Sequence, residues 1–238
     1  MGTLIQFFKS EFLSGQCFLC KKQADIQSSL CASCCSQLPK NNSCCSICAN
    51  PLNSEQLNSA LICASCQQKT PRFDRVFSPF LYQHKMIELI PAFKYHAKLF
   101  LGKTLAKLFI QQYSNQAISH DLPELIIPVP LHIKRLKHRG FNQSSELANY
   151  FSQQWGIKID DQLVERIKIT HTQKGLTLKQ RKNNLKNAFR LVAGKKLNNK
   201  HVVIVDDVIT TANTVNEIAR VLKQAGASRV DVWTIARA

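Results

Sequence analysis

Two adjacent carboxylates followed by a threonine-dense loop are the residues of this chain best suited to bind a phosphorylated sugar. The stretch runs from Val202 to Thr214 and reads VVIVDDVITTANT, with Asp206 and Asp207 after an apolar run. Successive backbone N–H groups at such a strand-to-helix turn, together with the positive end of the helix, attract an anion. The threonine hydroxyls are further donors, and the carboxylates suit sugar hydroxyls as acceptors. The stretch therefore predicts a site for a ribose 5-phosphate with free vicinal hydroxyls.

A plainer interpretation of the same stretch is a strand-end turn followed by a capping box of Thr214 and Glu217. That interpretation accounts for the start of a helix, but it leaves the two adjacent acids beside so many threonines unexplained. We therefore expect Asp206 and Asp207 to face the sugar hydroxyls. The hydroxyls expected to face the phosphate are those of Thr210, Thr211 and Thr214.

Cysteine pairs at metal-ligand spacing are the second chemical feature. All ten cysteines lie between Cys17 and Cys66. Eight of them form CxxC pairs, namely Cys17/Cys20, Cys31/Cys34, Cys45/Cys48 and Cys63/Cys66. Two intervening residues let one tight turn direct both thiolates at the same ion, and zinc takes four such ligands. The pairs therefore predict two structural Zn²⁺ sites without an open coordination position.

The sequence leaves open which CxxC pairs share an ion. Sequential pairing is the simplest arrangement, and interleaved, cross-braced pairing is the alternative. Cys35 and Cys44 each adjoin a predicted ligand and could substitute for it. Disulfides, redox chemistry or an iron–sulfur cluster would also use such cysteines. Redox CxxC motifs occur singly, however, and no export signal is visible, so we expect the reducing cytoplasm and structural metal.

Positive charge is concentrated in two segments. The formal net charge is +17, and such an excess favours polyanions such as nucleic acid. Residues 166–200 contain eleven lysines and arginines and no acid, and residues 132–139 read HIKRLKHR. A solvated basic surface without a specific partner is the plainer alternative. Because the runs are one-sided, we expect a phosphate-rich partner. The candidate nucleic-acid contacts are Lys179, Arg181, Lys182 and Lys186.

Strands and helices alternate after Pro71. Apolar and β-branched runs predict strands at 76–82, 125–130, 202–205 and 230–235, and helical spacing predicts helices near 86–93, 101–109, 142–155 and 215–225. This alternation is typical of an α/β fold, a parallel sheet with flanking helices and right-handed crossovers. Before Pro71 the chain is polar and cysteine-rich, which predicts a small zinc-ribbon-like module. Apart from the CxxC pairs, no internal repeat is expected.

The stretch from Val202 to Thr214 resembles the PRPP signature of type I phosphoribosyltransferases. That signature is an apolar run, Asp-Asp, two apolar residues, Thr-Thr, a small residue, any residue and Thr. The family usually has Gly where this chain has Ala212. The resemblance implies that the two acids hold the ribose hydroxyls of PRPP. It implies that the 5-phosphate is held by the loop residues Thr210, Thr211, Ala212, Asn213 and Thr214. It also implies that Mg²⁺ rides on the pyrophosphate and ribose oxygens rather than in a protein cage.

Motifs along almost the whole chain are similar to those of the ComF family of competence proteins. After the CxxC pairs they are Phe73-Asp74-Arg75-Val76, Phe93-Lys94-Tyr95, Pro128-Val129-Pro130-Leu131, Arg139-Gly140-Phe141-Asn142-Gln143, Thr172-Gln173 with Leu176, Arg181 and Asn184, and Ala188-Phe189. The Arg-Gly-Phe-Asn-Gln element is more specific than the PRPP loop. The resemblance implies a zinc-binding module at residues 1–70, a phosphoribosyltransferase-like PRPP-binding domain at 71–238, and a link to DNA uptake in natural transformation.

Two functions are compatible with these motifs. The first is a competence protein that handles incoming single-stranded DNA, with the DNA-uptake machinery or a helicase as a further partner. The second is a genuine phosphoribosyltransferase, in which a nucleophile displaces pyrophosphate from the anomeric carbon and Arg135 or Arg139 binds that pyrophosphate. The sequence identifies neither an acceptor pocket nor a nucleophile, so the catalytic residues are unknown. No apolar run is long enough to span a bilayer, and membrane insertion is not expected.

Overall fold

A parallel β-sheet with helices on both faces forms the centre of the structure, a computed structural model that describes residues 15–24, 29–53, 61–95, 98–115, 122–168 and 187–238. The strands are β1 (Arg75–Phe77), β2 (Phe80–Leu81), β3 (Leu125–Pro128), β4 (Lys158–Ile159), β5 (Val164–Arg166), β6 (Phe189–Leu191), β7 (His201–Ile209) and β8 (Arg229–Arg237). The helices are α1 (Ala32–Ser36), α2 (Ala64–Gln68), α3 (Met86–Tyr95), α4 (Leu99–Ser114), α5 (Ile133–Arg139), α6 (Gln143–Trp155) and α7 (Asn213–Gln224).

The main sheet has the strand order β1-β8-β7-β3-β4, and β2 continues the edge beside β8. All of its strand pairs are parallel. Strands β5 and β6 form a separate antiparallel pair. The predicted strand at 76–82 is divided into β1 and β2, although both halves pair with β8. Strands of two or three residues such as β4, β5 and β6 leave no periodic signal, so the sequence did not indicate them.

The central strands β7 and β8 owe their position to side chains that are apolar on both faces. Residues 202–205 of β7 are fully buried, as is typical of a parallel strand covered by helices on both sides. Strand β7 is longer than predicted. Asp206 still pairs with Thr234 and Val208 with Ala236, so the two acids lie within the strand rather than after it.

Successive residues of β7 face opposite layers of the core. Val203 and Val205 pack in a layer with side chains of α3, α4 and α6, such as Phe93 and Phe109. Ile204 instead packs in the layer that contains the apolar face of α7. Because side chains alternate along a strand, one short apolar run supports both layers at once. No helix among the described residues is long and apolar enough to cross a membrane.

The cysteine-rich region consists of two copies of one small unit, which corrects the expectation that only the CxxC pairs repeat. In each copy a CxxC turn is followed by a second CxxC that opens a five-residue helix, α1 or α2. The second CxxC reads Cys-Ala-Ser-Cys in both copies. The sequence therefore contained a sign of the repeat in addition to the cysteine spacing.

Equivalent backbone hydrogen bonds define the two units. The Cys17 N–H donates to the Lys22 carbonyl at 2.7 Å, and the Cys45 N–H donates to the Asn50 carbonyl at 2.8 Å. The residue four positions after each of these cysteines has a left-handed backbone, with φ of 61° at Lys21 and 54° at Ala49. Antiparallel bridges seven residues apart flank both turns. The two units therefore share one backbone design, which we call the first unit (residues 17–34) and the second unit (residues 45–66).

The two units pack against different parts of the main sheet and its helices. In the first unit, Phe18 contacts Phe100 of α4 edge to face, with ring centroids 6.3 Å apart. In the second unit, the Ile47 carbonyl accepts a hydrogen bond of 2.8 Å from the N–H of Val76 in β1. The first unit belongs to the core layer of α3, α4 and α6, and the second unit belongs to the layer of α7. The domain boundary between residues 70 and 71 stays a prediction.

Candidate functional site

A cavity of about 400 Å³ opens where the carboxyl ends of β3 and β7 meet the start of α7. Ligands of open parallel sheets bind at this edge, because the loops that leave the strands there can surround them. The cavity brings together every residue that the sequence assigned to PRPP, namely Asp206, Asp207, Thr210, Thr211, Ala212, Asn213, Thr214, Arg135 and Arg139. The binding of PRPP itself stays a prediction.

The loop from Thr210 to Thr214 turns into α7 through a left-handed residue. Ala212 has φ of 56° and ψ of 5°, and it is the N-cap of the helix. A glycine adopts this conformation without a steric penalty, which gives a backbone reason for the glycine usual in the family. No side chain caps this helix end, so its first N–H groups are suited to an anion. Glu217, the capping partner of Thr214 in the plainer interpretation, instead pairs with Arg220 at 2.8 Å.

The two carboxylates of the site have different surroundings. Asp207 is buried, and the Lys94 Nζ donates to its Oδ2 at 2.7 Å and to its Oδ1 at 3.0 Å. The Gln143 Nε2 donates to the same Oδ1 at 3.4 Å. Asp206 is only partly buried, and its Oδ1 accepts from the Ser144 Oγ at 3.0 Å and from the Asp207 N–H at 2.9 Å. Asp207 is therefore engaged by a cation of the protein, whereas these two donors to Asp206 are neutral.

This asymmetry separates the proton affinities of the two acids. Burial, and then the neighbouring negative charge of Asp207, raises the pKa of Asp206 to about 7. Burial acts on Asp207 in the same direction, but the Lys94 ammonium outweighs it and holds the pKa of Asp207 below its ordinary value. Burial acts to lower the pKa of Lys94, yet the two carboxylates raise it. Near neutral pH the site therefore contains one firm ion pair and one carboxyl group close to its titration point.

Two sequence motifs interlock beside the acids, one at the end of α3 and one at the start of α6. The Phe93 and Phe141 rings lie 5.8 Å apart. Two residues after Phe141, the Gln143 side chain donates a hydrogen bond to the Asp207 carboxylate, which also accepts from Lys94. Arg139 donates to the Gln143 Oε1. The three neighbouring contacts explain why the Phe-Lys-Tyr and Arg-Gly-Phe-Asn-Gln elements form one wall of the cavity.

Cationic side chains surround the acids and the phosphate loop. Arg135, Arg139 and Lys94 line the cavity, and Arg166 at the end of β5 joins them. Burial, and then the repulsion of Arg135, lowers the pKa of Arg166 to about 10. The guanidinium still carries its charge at neutral pH. A desolvated cation beside another cation favours a strongly anionic ligand between them.

Sequence reasoning did not assign Lys94, Gln143, Ser144 or Arg166 to the site. Lys94 and Gln143 belong to motifs that the sequence displays, but their separation along the chain hides their common contact with Asp207. Ser144 directly follows the second motif and donates to Asp206. Arg166 opens the basic run, and no local pattern distinguishes it from the lysines that follow. The four predicted nucleic-acid residues, Lys179, Arg181, Lys182 and Lys186, lie outside the described residues.

The eight predicted metal ligands form two groups of four in the sequential arrangement. The first group is Cys17, Cys20, Cys31 and Cys34, and the second is Cys45, Cys48, Cys63 and Cys66. Within each group the sulfur atoms all lie within 4.8 Å of one another. In a tetrahedral zinc site the sulfurs are about 3.8 Å apart. The Cys20–Cys31 and Cys48–Cys63 sulfurs are separated by 3.6 Å, which is far longer than a disulfide bond.

The thiols that open the two units are also suited to bind a metal as thiolates. Burial raises their pKa, but hydrogen bonds from backbone N–H groups outweigh burial at equivalent positions of the two units. They lower the pKa of Cys17 to about 6 and that of Cys45 to about 7. Lys85 lies 3.6 Å from the Cys34 sulfur and is a positive charge beside the first group. The ligand set and its surroundings thus fit Zn²⁺, the ion for which four thiolates are typical.

Comparison with known proteins gives matches over most of the chain. A family described as "Phosphoribosyl transferase domain" matches residues 135–238. Competence protein F of Haemophilus influenzae is 38% identical over 179 residues, which are 74% of this chain and 78% of that protein. DNA utilization protein YhgH of Salmonella typhimurium is 38% identical over 180 residues, 75% of this chain and 78% of that protein. Among solved structures, glutamine PRPP amidotransferase from B. subtilis is 19% identical with a TM-score of 0.40, and the match covers 61% of this chain and 30% of that one.

Proposed function

The chain belongs to the ComF family, and on that premise we propose that it is a competence protein that binds PRPP with Mg²⁺ and handles single-stranded DNA during natural transformation. Its fold is the predicted α/β fold of type I phosphoribosyltransferases, with a parallel sheet, flanking helices and a cysteine-rich N-terminal region. Relatives named for competence and for DNA utilization support the DNA part of the proposal.

The observation that carries the PRPP part is the composition of the cavity. PRPP has a phosphate at one end of its ribose and a pyrophosphate at the other. The loop from Thr210 to Thr214 offers backbone N–H groups at a helix start, which suit the 5-phosphate. Arg135, Arg139 and Arg166 line the same cavity and offer positive charge for the pyrophosphate. One cavity thus contains complementary groups for each part of the ligand.

The two acids divide their roles in this proposal. Asp206 accepts the ribose hydroxyls, since it lines the cavity and its hydrogen bonds from Ser144 and from the Asp207 N–H come from neutral donors. Asp207 holds Lys94 in the cavity, where the ammonium adds to the positive field around the phosphates. Asp206 and Asp207 alone cannot supply the six oxygen ligands of Mg²⁺, and Asp207 already forms an ion pair with Lys94. The ion therefore rides on oxygens of PRPP, as magnesium commonly does on phosphate substrates.

Isothermal titration of PRPP with Mg²⁺ against wild type and Asp206→Asn tests this assignment. The amide keeps the shape of the side chain but removes the charged acceptor, so several hydrogen bonds worth about 1.5–3 kcal/mol each are weakened. We expect the affinity to fall by at least about tenfold. Asp161→Asn, at an exposed acid, is the control for the change in net charge. Equal PRPP affinity in wild type and Asp206→Asn contradicts the assignment.

The DNA part of the proposal is supported by charge and by one exposed aromatic ring. Tyr95, at the end of α3, is 66% exposed and lines the mouth of the cavity. The Arg139 guanidinium lies 5.0 Å from its ring centre. Aromatic rings beside arginines are stacking platforms for the bases of single strands, and each stacked base contributes about 1–3 kcal/mol. Arg166, the first residue of the basic run, lines the same cavity.

Gel-shift titrations with a single-stranded oligonucleotide at two salt concentrations test DNA handling. We expect a strong salt dependence, because each neutralised phosphate releases counterions. Reversing the charges of Lys179, Arg181, Lys182 and Lys186 is expected to weaken DNA binding and to leave PRPP binding largely intact. The control reverses the same number of exposed lysines elsewhere, at Lys40, Lys103, Lys107 and Lys158. Absence of a shift at low salt overturns the DNA proposal.

A genuine phosphoribosyltransferase is the second candidate, since the matched domain is of that type. In that reaction the cavity binds PRPP, and an acceptor nucleophile displaces pyrophosphate at the anomeric carbon. The protein contributes positioning and charge stabilisation, for which the arginines around the acids are suited. Release of pyrophosphate in a screen of acceptors, together with little affinity for DNA, favours this candidate over the first.

A further inference from the structure

We propose that Arg237 and the second cysteine unit position the phosphate-binding loop, so that a metal ion in the second unit, unlike one in the first, controls the affinity for a phosphorylated ligand. The proposal rests on the proposed PRPP site, and its test includes a measurement that needs no ligand. It assigns a role to one buried cation at the end of β8 and to one of two otherwise equivalent metal centres.

Arg237 connects the second unit to the start of the loop. Arg237 as a whole is 7% exposed, and its guanidinium donates to backbone carbonyls on both sides. On the unit side, its Nε donates to the Cys48 carbonyl at 3.3 Å, and its Nη2 donates to the Asn50 Oδ1 at 3.1 Å. On the loop side, its Nη1 donates to the Ile209 carbonyl at 3.1 Å and to the Thr210 carbonyl. One rigid planar group thus joins the turn that holds Cys48 to the first residue of the loop.

The second unit also lies against the far side of the loop. A second cavity, of about 480 Å³, is lined by Cys48, Cys63 and Cys66 on one side and by residues 211–213 on the other. The phosphate loop is therefore a thin wall, with the PRPP-type cavity on one face and the second metal centre near the other. Because residues 211–213 face a cavity on each side, the conformation of the loop depends on the contacts that hold its ends.

The first unit is a natural control within the same chain. It has equivalent backbone hydrogen bonds and an equivalent group of four cysteines, but none of its described residues lines either cavity. Lys22 occupies the position that Asn50 has in the second unit, five residues after the first cysteine. The first unit docks on α4 through the contact of Phe18 with Phe100. Loss of the metal there changes the domain surface without reaching the loop.

Metal binding in the second unit would act on the loop through geometry. Four thiolates around one ion fix the turn that carries Cys48, and hence the direction of its carbonyl. Arg237 transmits that position because its guanidinium is rigid and planar. If the turn moves, this group cannot keep its hydrogen bonds to both the turn and the loop. Arg237 is thus a positioning residue, and it does not need to contact the ligand.

Arg237→Lys, measured with both metal sites filled, tests the connection. A lysine keeps the positive charge but cannot reach all the carbonyls at once. We expect PRPP affinity to fall by about tenfold or more, the equivalent of one or two hydrogen bonds to a charged group. Amide hydrogen exchange of residues 210–216 should accelerate in the absence of ligand, while the zinc content stays equal to that of wild type. Unchanged exchange in these residues overturns the proposal, whether or not PRPP binds.

Matched ligand substitutions test the metal dependence. Cys63→Ser and Cys31→Ser each remove the first thiolate of the second CxxC in a unit. We expect loop exchange and PRPP affinity to change in Cys63→Ser and to stay at the wild-type level in Cys31→Ser. Should Cys63→Ser fail to fold, Asn50→Ala and Lys22→Ala form a milder pair with all thiolates intact, and Lys22→Ala should alter affinity by less than about twofold. Equal responses of the two units contradict the proposal, and failure of wild type to bind PRPP would instead remove the proposed function.

Discussion

The buried ion pair of Lys94 and Asp207 should stabilise the fold more than an exposed ion pair of the same length, and Lys94→Met tests this expectation. Methionine has similar length and keeps the apolar stem of the side chain, but it removes the cation. Asp207 is 2% exposed, so water cannot replace the lost partner. The substitution leaves a buried carboxylate beside the second acid, Asp206.

The magnitude follows from distance and burial. At the Nζ–Oδ2 distance of 2.7 Å, two unit charges attract with about 6 kcal/mol at an effective dielectric constant of about 20. Desolvation offsets much of that attraction in the wild type. Removal of one partner of a buried pair nevertheless costs about 3–5 kcal/mol, because the other charge stays buried and unpaired. Because the Lys94 side chain is 22% exposed, we expect the lower end, about 3 kcal/mol.

Urea unfolding of the zinc-loaded protein at several pH values measures the effect and its sign. In the wild type the pKa of Asp207 is held below its ordinary value, so the ion pair stabilises above the unfolded pKa of about 3.9 and its contribution is lost as the pH falls. In Lys94→Met the pKa of the same carboxyl is raised by burial. The difference between the two proteins should therefore be largest near pH 8 and should shrink toward pH 4.

Two further variants make the result specific. Lys223→Met breaks a pair with Asp74 that has the same N–O distance of 2.7 Å, but that carboxylate is 44% exposed, and we expect a loss of less than about 1 kcal/mol. Lys94→Met combined with Asp207→Asn should recover most of the stability, since the buried charge is gone. A loss in Lys94→Met as small as that in Lys223→Met, or one independent of pH, refutes the reasoning.

Three other outcomes follow from the structure. Metal analysis of protein purified without added metal should find about two zinc ions per chain, and disulfides without metal in a reduced preparation would contradict this. The affinity for PRPP with Mg²⁺ should rise as the pH passes about 7, where Asp206 loses its proton, and the Asp206→Asn profile should lack that component; identical profiles would refute the assignment. Gly102→Ala should destabilise the fold by about 1–3 kcal/mol in spite of its better helix propensity, because the added Cβ would lie 2.8 Å from the Phe93 ring. Phe93→Leu in the same chain should relieve part of that loss, and a more stable Gly102→Ala protein would contradict the close approach.

The elements that the sequence predicted well are those in which one local pattern decides the structure. The apolar run before Asp206 could only be a buried strand. The helix that follows has Val215, Ile218 and Leu222 on one buried face, and its spacing was visible at once. The sequential grouping of thiolates was the simplest of the alternatives, and the structure has that arrangement.

The parts that the sequence could not supply depend on contacts between distant segments. Nothing in the neighbourhood of Lys94 indicates that it pairs with an acid 113 positions later. The contacts of Arg237 are similarly hidden, because they join the last strand to a turn near Cys48. The repeat of the cysteine units, by contrast, was within reach, since Cys-Ala-Ser-Cys occurs twice.

The position of β8 in the sheet has a consequence for synthesis on the ribosome. Strand β8 lies between β1 and β7, and it pairs with Arg75 at Asp231. Strand β1 is translated long before this partner, and at about 5–20 residues per second the delay is roughly 10–30 s. Meanwhile the two cysteine units, whose ligands are close in sequence, can already fold around metal. Until β8 emerges, β1 lacks its partner in the main sheet, so the backbone N–H and C=O groups that pair with β8 stay unpaired in the nascent chain.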